Sequence, residues 1–168
     1  DEDGQTIADS TAICEYLEET GPTPRLLPSD SIDRAEARRL AGWFDSKFHR
    51  EVTVNLVYER VNKRLMKAGY PASACVKAGA KNVKYHLEYV GWLMEGRNWL
   101  AGDQLSIADF AAAAHLSCLD YCCDVPWEIS PPAKDWYARL KSRPCFRPLL
   151  ADHIPGFPSK PHYSDLDF

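Results

Sequence analysis

Ser106-Ile107-Ala108-Asp109 sets a hydroxyl three residues ahead of an acid. At the start of a helix that spacing lets the serine satisfy an orphan N–H, while the acid returns a bond to the serine's own N–H. The run that follows is nearly all apolar, so its start must be satisfied inside the protein. The pair therefore reads as a structural box, and loss of Asp109 is expected to damage folding more than activity. Asp9-Ser10 stands ahead of a second helical run. Backbone N–H groups at a helix start, with a hydroxyl beside them, suit the carboxylate of a small ligand. The same two residues also make an ordinary cap, and chemistry alone favours the cap. His115, Cys118 and Cys122 can share a helix face, with Cys123 adjacent. Zinc asks for four such ligands at defined geometry, and helical cysteines among Ala and Leu more often fill a core, so no metal is expected. Arg60, Lys63, Arg64 and Lys67 form a basic stripe balanced by Glu51 and Glu59. It reads as a solvated face, too weakly charged for a nucleic-acid partner.

The elements that must position these residues are helical. Ile13, Tyr16 and Leu17 share one face of a first helix, which Gly21-Pro22 stops; Gln5–Ala8 ahead of it reads as the end of a short strand. Pro24 and Pro28 mark a linker. Ser31 or Asp33 is expected to cap a long second helix carrying Leu40, Phe44 and Phe48, which the β-branched run Val52–Val54 would bend and Gly69-Tyr70-Pro71 would end. A third helix is predicted from Ser73 to Glu95. A fourth begins at Ser106 and, being apolar all round, is expected to be buried all round. A fifth follows Pro131-Pro132. Pro155, Pro158 and Pro161 make the end of the chain read as an extended tail.

Composition bounds the function. The chain has 168 residues, 45% hydrophobic and 26% charged, with a net charge of −4. That is enough for a packed core without staples, and too ordered in composition for a disordered segment. No apolar run is long enough for a membrane span. The six cysteines are scattered with no CxxC pair, which fits reduced thiols in a cytoplasmic protein.

Two motifs go further. Gly4-x-x-Ile7-x-Asp9-Ser10-x-x-Ile13-x-x-Tyr16-Leu17 followed by Leu26-Leu27-Pro28 resembles the end of the thioredoxin-like domain of cytosolic glutathione transferases. Trp99-Leu100-Ala101-Gly102 with Leu105-Ser106-Ile107-Ala108-Asp109 resembles the start of the core helix in that family's all-helical C-terminal domain. The resemblance covers about residues 1–150 and implies a mainly α fold. Its parts would be a βα remnant of the glutathione-binding domain at 1–28, a helical bundle at 29–153 and a Pro-rich tail at 154–168. It implies that Asp9 and Ser10 hold the γ-glutamyl end of glutathione, a co-substrate whose thiolate attacks a small electrophile, as in detoxification. Ser106 and Asp109 would be the folding box. Trp43, Phe44, Phe48 and Tyr121 become candidates for the electrophile pocket, although core packing is the plainer reading of each. The family's thiol-activating Ser, Tyr or Cys has no counterpart in this sequence, so the catalytic residue is unassigned and the chain alone is expected to be inactive. The resemblance also implies a two-fold homodimer.

A second reading stands beside the enzyme. The chain is similar to the glutathione transferase-like bacterial division factors that bind the tubulin-like protein FtsZ. In that reading Asp165, Leu166, Asp167 and Phe168 help to dock a partner from a Pro-stiffened tail, and the glutathione chemistry is dispensable. The plainer expectation for these four residues is packing along their own domain or simple fraying.

Overall fold

The structure, a computed structural model, describes residues 4–166. Among them there is no strand, and residues 5–8 have no regular structure. A strand exists only through a paired neighbour, and none of the described residues offers one.

Helix α1 spans Ser10–Thr20 and α2 spans Ser31–Gly42. The cap of α2 is Asp30, whose carboxylate accepts from the N–H groups of Ile32 and Asp33 at 2.8 and 3.1 Å. The expected caps, Ser31 and Asp33, lie one and three residues inside the helix. An acid one residue earlier has the extended backbone that capping needs. From Gly42 the helix continues without a break as a π-helical stretch, Trp43–Asn62, and closes with the turn Lys63–Leu65. The wider i→i+5 winding runs along the whole rod and is not confined to Val52–Val54. The chain reverses at Lys67 and Gly69, with φ of 53° and 99°. Helices α3 (Ser73–Glu95), α4 (Ile107–Tyr121) and α5 (Pro131–Lys141) follow, then a 3-10 turn at Arg147–Ala151.

The π-helical rod packs against α3 and α4, while α5 packs on α3 and α4. The core between them contains Leu40, Phe44, Phe48, Leu56, Leu87, Leu116, Leu119 and Trp136. Gly79 brings α3 close to the rod, since a β-carbon there would meet Leu56 Cγ at 2.8 Å and Asn55 Cβ at 2.9 Å. Helix α4 is central but not buried all round, because Ala114 and Cys118 are exposed. Apolar composition filled the core face and also left small side chains on the walls of open clefts.

The tail is not simply extended. Ile154 and Phe157 form a bridge, and a short helix α6 spans Pro161–Ser164. Proline restricts the residue before it, yet it is well suited to a first helical turn.

Candidate functional site

The box at the start of α4 is built around a buried carboxylate. Asp109 is fully buried. Its Oδ2 accepts from the N–H and the hydroxyl of Ser106 at 2.9 and 3.0 Å. Its Oδ1 accepts from the N–H of Leu100 and the indole N–H of Trp136, both at 2.9 Å. Burial pushes the carboxyl pKa up, and these donors pull it back. The Ile107 N–H donates to the carbonyl of Leu26 at 3.0 Å. Glu18 in turn accepts from the N–H groups of Leu26 and Leu27 at 2.7 and 3.1 Å. The central helix, the linker and α1 are therefore joined by one chain of hydrogen bonds.

That chain positions Asp9 and Ser10. Asp9 caps α1 by accepting from the N–H groups of Thr11 and Ala12 at 2.9 and 3.1 Å. Its backbone sits at φ 78°, ψ 126°, a region a non-glycine residue rarely occupies and one that costs about 1–3 kcal/mol. The strained residue places Ser10 on the rim of a cleft of about 600 Å³. The cleft also takes in Cys14, Arg38, Asp45, Ser46, Phe110 and Ala111, from α1, α2, the rod and α4. Arg38 is tied to Glu15 by two bonds of 2.7 Å, which keep α1 against α2. Guanidinium bonding holds the Glu15 carboxyl below its ordinary range. Helix α1 has no buried residue, and Ile13 and Leu17 are exposed.

The four aromatic residues named as an electrophile pocket do not share one. Phe44 and Phe48 are fully buried in the core. Trp43 donates its indole N–H to His86 Nδ1 at 3.2 Å and packs on Tyr89. Tyr121 lies elsewhere, in an apolar cleft of about 400 Å³ with Val57, Val61, Cys118, Cys122 and Tyr163. Core packing, the plainer reading of Phe44 and Phe48 on their i, i+4 helix face, is what the structure shows. Phe110, Arg38 and Asp45 also border the cleft beside Ser10. Nothing in the local sequence distinguishes them, since three separate elements bring them together.

His115 engages Thr53 Oγ1 through Nδ1 at 3.1 Å, and its Nε2 lies 3.4 Å from Asp45. Burial lowers its pKa. Cys118, Cys122 and Cys123 are free thiols, and burial pushes the Cys122 thiol up to about 11. No group of three or more metal-ligating side chains assembles among the described residues.

The tail is held by a buried polar cluster. Asp120 and Lys141 are both fully buried, with Nζ 3.7 Å from Oδ2. Asp120 Oδ1 accepts from the Trp127 indole at 2.9 Å and meets His162 Nε2 at 3.1 Å. Lys141 donates to the His162 carbonyl at 3.0 Å. The Tyr163 and Ser117 hydroxyls are bonded at 2.9 Å, and Tyr121 binds the Phe157 carbonyl. Asp165 and Leu166 follow this docked segment; Asp167 and Phe168 lie outside the described residues.

Residues 54–144 match the glutathione S-transferase C-terminal domain family. The chain belongs to the glutathione S-transferase family. A glutathione S-transferase from Rhodospirillum rubrum F11 superposes with a TM-score of 0.96 and 55% identity, covering all of this chain and 76% of that one. FzlA from C. crescentus superposes with a TM-score of 0.93 and 52% identity, over 96% of this chain and 72% of that one. FtsZ-localized protein A of Caulobacter vibrioides is 52% identical over 162 residues, 96% of this chain and 71% of its own length. The helical bundle is thus a glutathione S-transferase C-terminal domain. No helix among the described residues is long and apolar enough to cross a membrane.

Proposed function

We propose that this glutathione S-transferase family member is a division-associated protein that binds the tubulin-like polymer protein FtsZ. The observation that carries the reading is 52% identity to FtsZ-localized protein A across 96% of the chain, a span that leaves out only a few residues. Such continuous similarity favours a shared surface and not merely a shared fold. The partner surface in this reading includes Asp165 and Leu166, which follow the segment that Asp120 and Lys141 hold down, together with Asp167 and Phe168. The site of action is the cytoplasm. The test is co-sedimentation of the full protein with FtsZ polymerised in GTP. Recovery with polymer, reduced by Asp165→Lys, supports the reading; a well-folded protein that stays in the supernatant overturns it.

A second reading rests on a separate observation, the strained Asp9 backbone that sets Ser10 on a cleft rim. Here the Ser10 hydroxyl and N–H take the γ-glutamyl carboxylate of glutathione, aided by the positive end of α1. The neighbouring cleft takes a small electrophile, and the intact protein transfers the glutathione thiolate to it. The exposed Ile13 and Leu17 fit a division at residue 28, with the rest of a thioredoxin-like domain covering α1. A homodimer belongs to the same reading. Calorimetry with glutathione tests it on the intact protein. Saturable binding that Ser10→Ala weakens while melting stays unchanged supports the site, and binding indifferent to Ser10→Ala overturns it.

A further inference from the structure

From Arg60 to Leu87 the chain carries seven Lys and Arg residues and no Asp or Glu, in a protein of net charge −4. This stretch is the helical hairpin in which the rod ends, reverses and returns as α3. Glu88, which follows directly, stands one turn beyond Lys84 at the far end of this basic face, and two other neighbouring acids are already committed. Glu59 accepts from Lys63 at 2.6 Å and from the Ala72 N–H at 2.6 Å, and Asp124 pairs with Arg60. That leaves Arg64, Lys67, Lys77, Lys81 and Lys84 on the exposed surface. Lys77, Lys81 and Lys84 recur at i, i+4 and i+7, which sets them on one face of α3.

The end of the hairpin is also apolar. Tyr70 is 94% exposed and Met66 58%, while Leu65 edges the apolar cleft that holds Tyr121. Lys67 at φ 53° and Gly69 at φ 99° turn the chain so that Met66 and Tyr70 stand outward together with the cations. Apolar groups usually collect in concave sites when they serve a small ligand or a peptide. An exposed turn with an aromatic side chain, a flexible Met and neighbouring Lys and Arg has a different complement. It suits a soft anionic surface into which the tip can sink while the cations meet headgroups. Tyrosine is at home at that boundary, and lysine stems cover apolar surface while keeping the charge in water.

We propose that the hairpin tip, Arg64 to Tyr70 with Lys77, is a docking surface for an anionic lipid bilayer. The chain lies on the surface and does not span it. Lys67 and Lys77 supply the long-range attraction to phosphate headgroups, and Met66 and Tyr70 enter the interfacial layer. The basic face of α3 extends the contact away from the tip.

The test is co-sedimentation of the full protein with vesicles of phosphatidylcholine alone and of phosphatidylcholine mixed with phosphatidylglycerol, at low and high salt. The protein is expected to pellet with the mixed vesicles at low salt and to be released at high salt. Lys67→Glu combined with Lys77→Glu is expected to lower the partition about ten-fold or more. Tyr70→Ser is expected to weaken it while leaving the salt dependence in place. All three side chains are exposed, so circular dichroism and melting should match the unchanged protein. Absence of pelleting with phosphatidylglycerol overturns the proposal, and so does equal pelleting with phosphatidylcholine alone. Pelleting unaltered by the charge reversal overturns it too. Capture of duplex DNA or of an acidic polypeptide by the same residues, without vesicle binding, replaces the bilayer with another polyanion and overturns it as well.

Discussion

Asp109 and Trp136 are joined by a 2.9 Å hydrogen bond from the indole N–H to a carboxylate oxygen, deep in the core and 27 positions apart. The same oxygen takes the N–H of Leu100. One side chain thereby fixes the start of α4, the preceding loop and the buried face of α5.

Asp109→Ala should therefore leave several buried donors without an acceptor, a cost of about 3 kcal/mol or more. The expected outcome is little soluble protein, or a midpoint in urea far below the unchanged chain. Asp109→Asn keeps one acceptor oxygen and the shape, and should lose less. Chemical denaturation of both variants checks the order.

Gly79→Ala should be destabilising although alanine is the better helix former. The added carbon meets Leu56 and Asn55 at under 3 Å, and forcing the rod and α3 apart costs about 1–3 kcal/mol. Gly42, with open space beside its backbone, provides the control: Gly42→Ala should be neutral or stabilising in the same melt.

Lys141→Met should loosen the tail. It removes the buried ammonium beside Asp120 and the donor to the His162 carbonyl. Removing one partner of a buried ion pair costs about 3–5 kcal/mol, and the Trp127 and His162 contacts to Asp120 set this loss at the lower end. Hydrogen exchange should rise across residues 154–166 more than in α3, and a uniform rise in both would contradict this anchoring role.

Glu36 gives the stability a predictable acid limb. Bonding to Arg39, and then to Arg97, holds its carboxyl at about 2 against an ordinary 4.5. A depressed carboxyl stabilises the fold above its unfolded value, and that contribution is lost as pH falls from about 4.5 towards 2. Thermal melts of the unchanged protein and Glu36→Gln should differ at neutral pH and converge through that window.

Local chemistry carried much of the architecture. The bounds of α3, the Ser106 start of α4 and the proline start of α5 follow from short-range signals, namely apolar period, cap hydroxyl and fixed proline φ. The Asp9 cap belongs with them. Asp30 escaped because three neighbouring residues could each have capped α2, and only backbone geometry chose among them. The groups that hold the tail were not legible because Asp120, Lys141 and Tyr163 are separated by up to 43 positions and brought together by the bundle. The cleft beside Ser10 belongs to the same class. By itself the sequence determined that the chain makes helices, where most of them start, and which family motifs they carry, because those depend on residues within a turn or two of one another. Tertiary structure alone decided that Phe110 and Arg38 border the cleft with Ser10, that Tyr121 lies in a different cleft, and which distant groups hold residues 154–166. Each is a contact between distant segments, set by how whole helix faces fit together.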